Sequence, residues 1–387
     1  MRFDNQLRHA TRIIETYGGG MPLAAWLKDF FRLHRQMGSR DRKELSALAY
    51  SFYRLGHSLP QLPVPDRLLA AYFLCHDAPA PLLEQFRPQW NAHITGPLNE
   101  KIRILQAQPG GATFDPAAIF PWKDELSPQI DHEAFCLSFL RQPDLFLRIR
   151  PGQQDAVLRQ LSQEPVEFLP PSALRLPNGF KVERYFTPDR EVVIQDYSSQ
   201  QIAGFLAAPA PPASIWDTCA GSGGKAIVAH DLYPGAHLIV SDIRESILHN
   251  LHKRFAIAGI TRYSSFPADL TRQAPPAAAA AADLIIADLP CTGSGTWSRT
   301  PEALYFFDRA EIEKHAGRQR AILRHVAAQL APGASLLYCT CSVFKKENEA
   351  IGAWLQSEFG FQCRLSKCLV GYPLHADTLF AASFYRE

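Results

Sequence analysis

From residue 213 onward the chain alternates short apolar strands with helical stretches, and glycine-bearing turns join them. Predicted strands are Ser214–Thr218, His237–Asp242, Ser264–Ala268, Asp283–Asp288 and Ser335–Thr340, with helical stretches at 224–232, 244–258, 309–330 and 346–358 between them. Alternation of this kind predicts an α/β domain built on a doubly wound parallel sheet. Ligands of such sheets sit beyond the carboxyl ends of the strands, so the chemistry is expected just after each strand. The alanine run 277–282 reads as a helical or connecting spacer without chemistry.

With 387 residues the chain has room for more than this sheet. Residues 1–105 read as a helical domain, with Leu45, Leu48, Ala49, Phe52 and Leu55 at helical spacing after a start at Ser39. Residues 106–128 are rich in proline and glycine and are expected to be a linker. Residues 129–198 read as a small α+β unit, with strands at Leu145–Ile149 and Glu191–Gln195 flanking a helix at Gln154–Gln163. A helix at Ser199–Ala208 is expected to lead into the sheet domain, 199–387.

Hydrophobic residues make up 47% and charged residues 20%, which excludes disorder as the main state. The formal charge is only +2, so no global field draws the chain to a polyanion. Between Met1 and His57, however, ten Lys or Arg (2, 8, 12, 28, 32, 35, 40, 42, 43 and 54) face five acids. Such a bias is either a solvated helix face or a surface for RNA phosphates. No stretch approaches the roughly 20 apolar residues of a bilayer span, and Met1-Arg2-Phe3-Asp4 has no apolar signal core, so a cytosolic protein is expected. Eight cysteines in a chain this long are too sparse for a disulfide scaffold and are expected to be reduced.

The first predicted strand ends in Asp217-Thr218-Cys219-Ala220-Gly221-Ser222-Gly223-Gly224-Lys225. Glycines here let backbone approach a ligand closely at a helix start. A phosphate-cradling P-loop is excluded, because Cys219 stands where the leading glycine would be and Ala226 replaces the magnesium-binding hydroxyl. Asp242 closes the second strand about twenty residues after Gly221, the place where such domains put an acid to accept bonds from ribose hydroxyls. Asp269, after the third strand, is placed to take an adenine amine. An adenosine-bearing cofactor follows. A dinucleotide is disfavoured, since Gly221-Ser222-Gly223-Gly224-Lys225-Ala226 lacks the third glycine of that fingerprint.

After the fourth strand comes Asp288-Leu289-Pro290-Cys291-Thr292-Gly293, and after the fifth Thr340-Cys341-Ser342. Two thiols beyond neighbouring strand ends would share one cleft. Cys339, inside its strand, reads as a small buried hydrophobe. A zinc site is disfavoured: of the cysteines near the C-terminus only Cys363 and Cys368 have suitable spacing, so no metal is expected.

DTCAGSGGK (217–225), SDI (241–243), ADLPCTGSGTW (287–297) and TCSVFKKENE (340–349), in that order, resemble the Nol/Nop/Sun family of S-adenosylmethionine-dependent RNA cytosine-5 methyltransferases. FRLHRQMGSRDRKELSALAYSFYR (31–54) is similar to the NusB-like RNA-binding domain of the RsmB-type (Fmu/Sun) members, and LFLRIRP (145–151), VIQDYSSQ (193–200) and DTLFAASFYR (377–386) also match. Gly221-Ser222 stands where the family usually has Ala-Pro, Leu289 where it has Ala, and Arg150 where Asn is common.

The resemblance implies a Rossmann-like methyltransferase domain after a NusB-like domain and an RRM-like unit, with S-adenosylmethionine as cofactor. Residues 219–225 together with Asp242, Asp269 and Asp288 would bind it. Carbon 5 of cytosine is a poor nucleophile until a thiolate adds to carbon 6. The resemblance makes Cys341 that nucleophile, with Cys291 assisting release. The residues alone leave the order open, because DNA cytosine methyltransferases attack with the Pro-Cys thiol. Asp288 is expected as the acid at the ring nitrogen, and Lys225 as its orienter or as a means of lowering a thiol pKa. Small-subunit (16S) ribosomal RNA is the implied substrate. Transfer RNA and a non-catalytic assembly factor are the alternatives, and a cytoplasmic monomer without membrane contact is expected.

Overall fold

The computed structural model describes residues 3–107, 114–207, 210–328 and 330–386. The expected linker therefore lies partly outside the described residues. The chain clusters into two units, one made of Met1–Asp124, Asp131–Gln142 and Trp297–Asp308, the other of Glu125–Ile130, Pro143–Thr296 and Arg309–Glu387.

The first unit is helical. Its helix Ser39–Arg54 carries an acid in its first turn and buries Leu45, Leu48, Ala49 and Phe52 along one stripe, as its periodicity requires. Arg54, counted above among the basic residues, is buried, and its guanidinium donates to the carbonyls of Phe139, Arg141 and Ser298 at 2.9, 3.2 and 3.0 Å. Arg8, Arg12, Lys28, Arg32, Arg35, Arg40 and Lys43 remain exposed. The chain also sends Trp297–Asp308 into this unit. Trp297 is buried against Phe307, Phe120 and Trp122, with ring centroids 4.6, 6.1 and 6.4 Å away. The backbone amide of Leu23 donates to Glu302 at 3.0 Å, which satisfies the start of the helix Leu23–Leu33.

The second unit holds two sheets. Strands β1 (Leu145–Ile149), β2 (Glu167–Leu169), β3 (Ala173–Leu176) and β4 (Val192–Ile194) form an antiparallel sheet in the order β2-β3-β1-β4, accompanied by the helix Gln154–Gln160. Where one helix was expected over 199–208, a short α-helix at Tyr197–Gln200 passes into a 3-10 helix at Gln201–Phe205. Asp196 starts it earlier than expected by accepting from the Ser198 amide at 2.9 Å.

The large sheet is made of β5 (Ser214–Asp217), β6 (His237–Asp242), β7 (Tyr263–Pro267), β8 (Leu284–Asp288), β9 (Ser335–Thr340), β10 (Gln362–Leu369) and β11 (Leu379–Tyr385), in the order β10-β11-β9-β8-β5-β6-β7. Pairings from β9 to β7 are parallel, and β10 and β11 join antiparallel. This is the Rossmann-like α/β fold expected, with an antiparallel edge added. On one face Ile215, Leu238, Val240, Leu284, Ile286, Leu337 and Cys339 build the core against Ala226, Ile227 and Phe255 of the flanking helices. No helix among the described residues is long and apolar enough to cross a membrane.

The turn after β5 depends on glycine. Gly223 has φ +86°, and a Cβ there would lie 2.8 Å from the Phe255 ring and 3.0 Å from Leu251, whereas a Cβ on Gly221 (φ +52°) would meet nothing within 4 Å. Gly223→Ala is therefore expected to destabilise the fold by about 2–4 kcal/mol and Gly221→Ala by only about 1 kcal/mol, compared by denaturant unfolding.

Candidate active site

Side chains two apart on a strand share a face, so the core pattern determines what stands at the strand ends. Asp217 follows Ile215, Asp242 follows Val240 and Asp288 follows Ile286. One pleat beyond their strands, Asp269 follows Pro267 and Cys341 follows Cys339. Register pairs Asp217 with Val240 and Ile286, Asp288 with Cys339 and Asp242 with Pro267. One face of five parallel strands therefore carries all five polar groups to the carboxyl edge.

Two cavities open there. One, of about 460 Å³, is lined by Asp242, Ile243, Ala268, Asp269, Pro290 and Cys291. The other, of about 480 Å³, is lined by Ile194, Ser199, Gly221, Lys225, Thr296 and Asp377. Cys219, Arg244, Asp288 and Cys341 line both.

The Lys225 ammonium donates to Asp288 Oδ2, and the Cys339 thiol lies 3.7 Å from Asp288 Oδ1. Cys339 is thus more than the plain buried hydrophobe expected from sequence. Burial works to lower the Lys225 pKa, but the charge and hydrogen bond of Asp288, with the charges of Cys339 and Cys341, raise it, so Lys225 is a cation within the field of both Asp288 and Cys341.

The sulfurs of Cys291 and Cys341 are 3.3 Å apart. The hydrogen bond to Cys341, followed by burial and the nearby Glu347 charge, pushes the Cys291 thiol well up, so Cys291 keeps its proton. Burial pushes the Cys219 thiol to about 12, which makes it a wall of the cavities and not a nucleophile.

Asp242 accepts from the Gly221 amide at 3.0 Å with one oxygen and from the Arg244 amide at 2.9 Å with the other, so it shapes the glycine turn while lining the cavity. Asp269 accepts from the Thr271 hydroxyl at 2.5 Å, and that bond leads the causes that lower its pKa. The loop 220–224 lines the second cavity through Ala220, Gly221, Ser222 and Gly224, while Gly223 closes the helix start. Ser222 is braced by Arg254, which donates to its carbonyl at 3.0 Å and its hydroxyl at 3.1 Å.

Sequence reasoning missed the residues that hold the thiol loops. Glu347 is fully buried and accepts from the Thr292 amide at 2.9 Å and its hydroxyl at 2.6 Å, beside Cys291. Gln319 donates to the Pro290 carbonyl at 3.2 Å. Gly295 donates to the Cys341 carbonyl at 2.9 Å, and a Cβ on it would lie 1.8 Å from the Thr378 carbonyl oxygen. Asn348 ties the other loop, donating to the Ser342 carbonyl at 2.9 Å and accepting from Thr340 at 2.6 Å. Glu347 and Asn348 stand in the TCSVFKKENE run, where an acid and an amide among basic residues were the available signal.

Residues 205–365 match the family described as 16S rRNA methyltransferase RsmB/F. Over those residues the chain is similar to the RsmB/F methyltransferases. Ribosomal RNA small subunit methyltransferase B of Xanthomonas campestris is 27% identical over 339 residues, 84% of this chain and 74% of that protein. The Salmonella arizonae protein of the same name is 32% identical over 171 residues, 43% of this chain and 38% of that one. The Bacillus subtilis relative, a probable small subunit methyltransferase B, is 28% identical over 60% of this chain, which spans 54% of its length. Among solved structures, PH0851 has TM-score 0.67 at 18% identity over 97% of both chains. NSun6 from Pyrococcus horikoshii, determined with SFG, has TM-score 0.54 at 14% identity over 66% of this chain and 95% of that one. Those two likenesses are of fold.

This chain is an enzyme whose methyl donor is S-adenosylmethionine. The residues fit that group: the first cavity has ligand-pocket size, Asp242 and Asp269 offer acceptors to ribose and adenine, and the half-exposed Ile243 offers an apolar face. Acidic Asp288 suits the cationic end of the donor. As a test of the loop clamp, Glu347→Ala is expected to cost about 1–3 kcal/mol in denaturant unfolding, because it removes the acceptor of the Thr292 amide and of the shortest bond of its hydroxyl.

Proposed function

We propose that this enzyme methylates carbon 5 of a cytosine in 16S ribosomal RNA, working in the cytoplasm through a transient bond between Cys341 and carbon 6 of the ring. The observation that carries the reading is the pair of thiols 3.3 Å apart in a cleft with the Lys225–Asp288 ion pair at its side. The ribosomal substrate rests on the names of the relatives, and the exposed basic residues of the helical unit suit an RNA backbone.

Lys225 supplies the counter-charge for a Cys341 thiolate, while Cys291 holds its proton. Cys341 adds to carbon 6, and the electron pair of the double bond moves towards the ring nitrogen and carbon 5. The Lys225–Asp288 pair delivers a proton or hydrogen bond to that nitrogen; help of this kind is worth about 100- to 10,000-fold. Asp288 was expected as the acid, with Lys225 as its orienter or as a means of lowering a thiol pKa. With Lys225 on its carboxylate, the two act together. S-adenosylmethionine supplies the electrophilic methyl that carbon 5 takes up. Once Cys341 is bonded to the ring, the hydrogen bond and charge that held the Cys291 proton are gone; Cys291 gives that proton to solvent, takes the one on carbon 5 directly or through water, and the ring expels Cys341 as a thiolate.

Cys291→Ala is expected to accumulate an RNA–protein adduct that survives denaturing electrophoresis, and Cys341→Ala to give neither adduct nor methylation. The opposite pattern would mean the roles are exchanged. Labelled methyl mapped in 16S RNA and not in transfer RNA supports the substrate; label in transfer RNA alone contradicts it.

A further inference from the structure

Asp217 is a buried acid that the mechanism above does not use. It closes β5 at 1% exposure, and neither carboxyl oxygen has a hydrogen-bond partner of good geometry. A carboxylate in that position would pay a large desolvation cost that its surroundings offset only in part. Register puts it on the face that carries Asp288: Asp217 pairs with Ile286, and Asp288 is the next side chain of that face.

The charged and titratable groups around it come from every neighbouring element. Asp288 on β8 and Asp242 on β6 disfavour its ionisation, Lys225 and the Ala226 amide of the following helix favour it, and the Cys219 and Cys339 thiols feel its charge. Lys225 therefore has two acids within its field but donates to only one, Asp288.

We propose that Asp217 is a positioning residue for methyl transfer, a neutral buried acid that leaves the Lys225 charge committed to Asp288 and Cys341. This rests on the reading that Lys225 and Asp288 activate the ring. Burial foremost, then the Asp288 charge, pushes Asp217 up to about 8. Below that pH it carries its proton and does not compete for the ammonium. Above it a second carboxylate draws Lys225 away, weakening both its hold on Asp288 and its support of the thiolate at Cys341.

The sign for stability follows the same way. Between the ordinary aspartate value of 3.8 and about 8 the folded chain binds a proton that the unfolded chain lacks, so this group lowers stability as pH rises through that window. Asparagine has the shape of the protonated acid and cannot ionise.

The test compares the full chain and Asp217→Asn with S-adenosylmethionine and ribosomal RNA, following kcat/KM against pH and denaturant stability against pH. The unmodified enzyme is expected to lose kcat/KM on the alkaline side with a midpoint at about 8. The variant is expected to lack that limb, to lose no more than about tenfold at neutral pH, and to lack the Asp217 share of the stability slope. An alkaline limb or a stability slope unchanged in the variant overturns the proposal. If asparagine prevents folding, Asp217→Ser is read by the same two curves. Asp288→Asn separates the two levels: full methylation by that variant sinks the reading of the ion pair, whereas loss of methylation there beside an unchanged limb in Asp217→Asn sinks this proposal alone.

Discussion

The ion pair between Lys225 and Asp288 organises the catalytic edge of this protein. Lys225 begins the helix after β5, where its positive charge opposes the helix dipole, so the partner it finds at the end of β8 has to compensate. Asp288 accepts because the glycine turn 221–224 brings the helix start over the neighbouring strand end. The same cation faces Cys341, while Glu347 faces Cys291. Two chemically identical thiols 3.3 Å apart are thereby made unequal. One sits beside a positive charge, the other beside a buried acid.

Much of this was legible in the sequence, and the reason is geometric. Parallel strands buried on both faces give long apolar runs, and an acid that follows such a run, directly or after one serine, marks a strand end. Asp217, Asp242 and Asp288 mark three such ends, and their strands lie where the alternation put them. The pair β10 and β11 was not anticipated as strands, although DTLFAASFYR was noticed. β10 is largely exposed and lacks an apolar run, and its place is set by pairing with β11, a tertiary contact that no local pattern announces.

Residues whose role depends on distant partners were also hidden. Arg150 stands out in sequence as a departure from the family pattern. In the fold Arg148 and Arg150 both hold Asp231 at 2.6 Å, and Arg150 also donates to the Ala258 carbonyl at 2.6 Å, so it ties the small sheet to the helices beside the large one. Ser222, another departure, is held by Arg254 in place of the rigidity a proline would supply. Arg54 shows the converse error available to charge counting, since a residue in a basic run can be a buried carbonyl clamp.

The inequality of the two thiols is the claim on which the chemistry stands, and alkylation measures it directly. The chain is exposed to a small thiol reagent over a series of pH values, and modification at each cysteine is followed by mass spectrometry. The account predicts that Cys341 is labelled at lower pH than Cys291, and that removing the cation in Lys225→Met narrows the gap between them. Labelling of Cys291 first, or an order indifferent to Lys225, would contradict it.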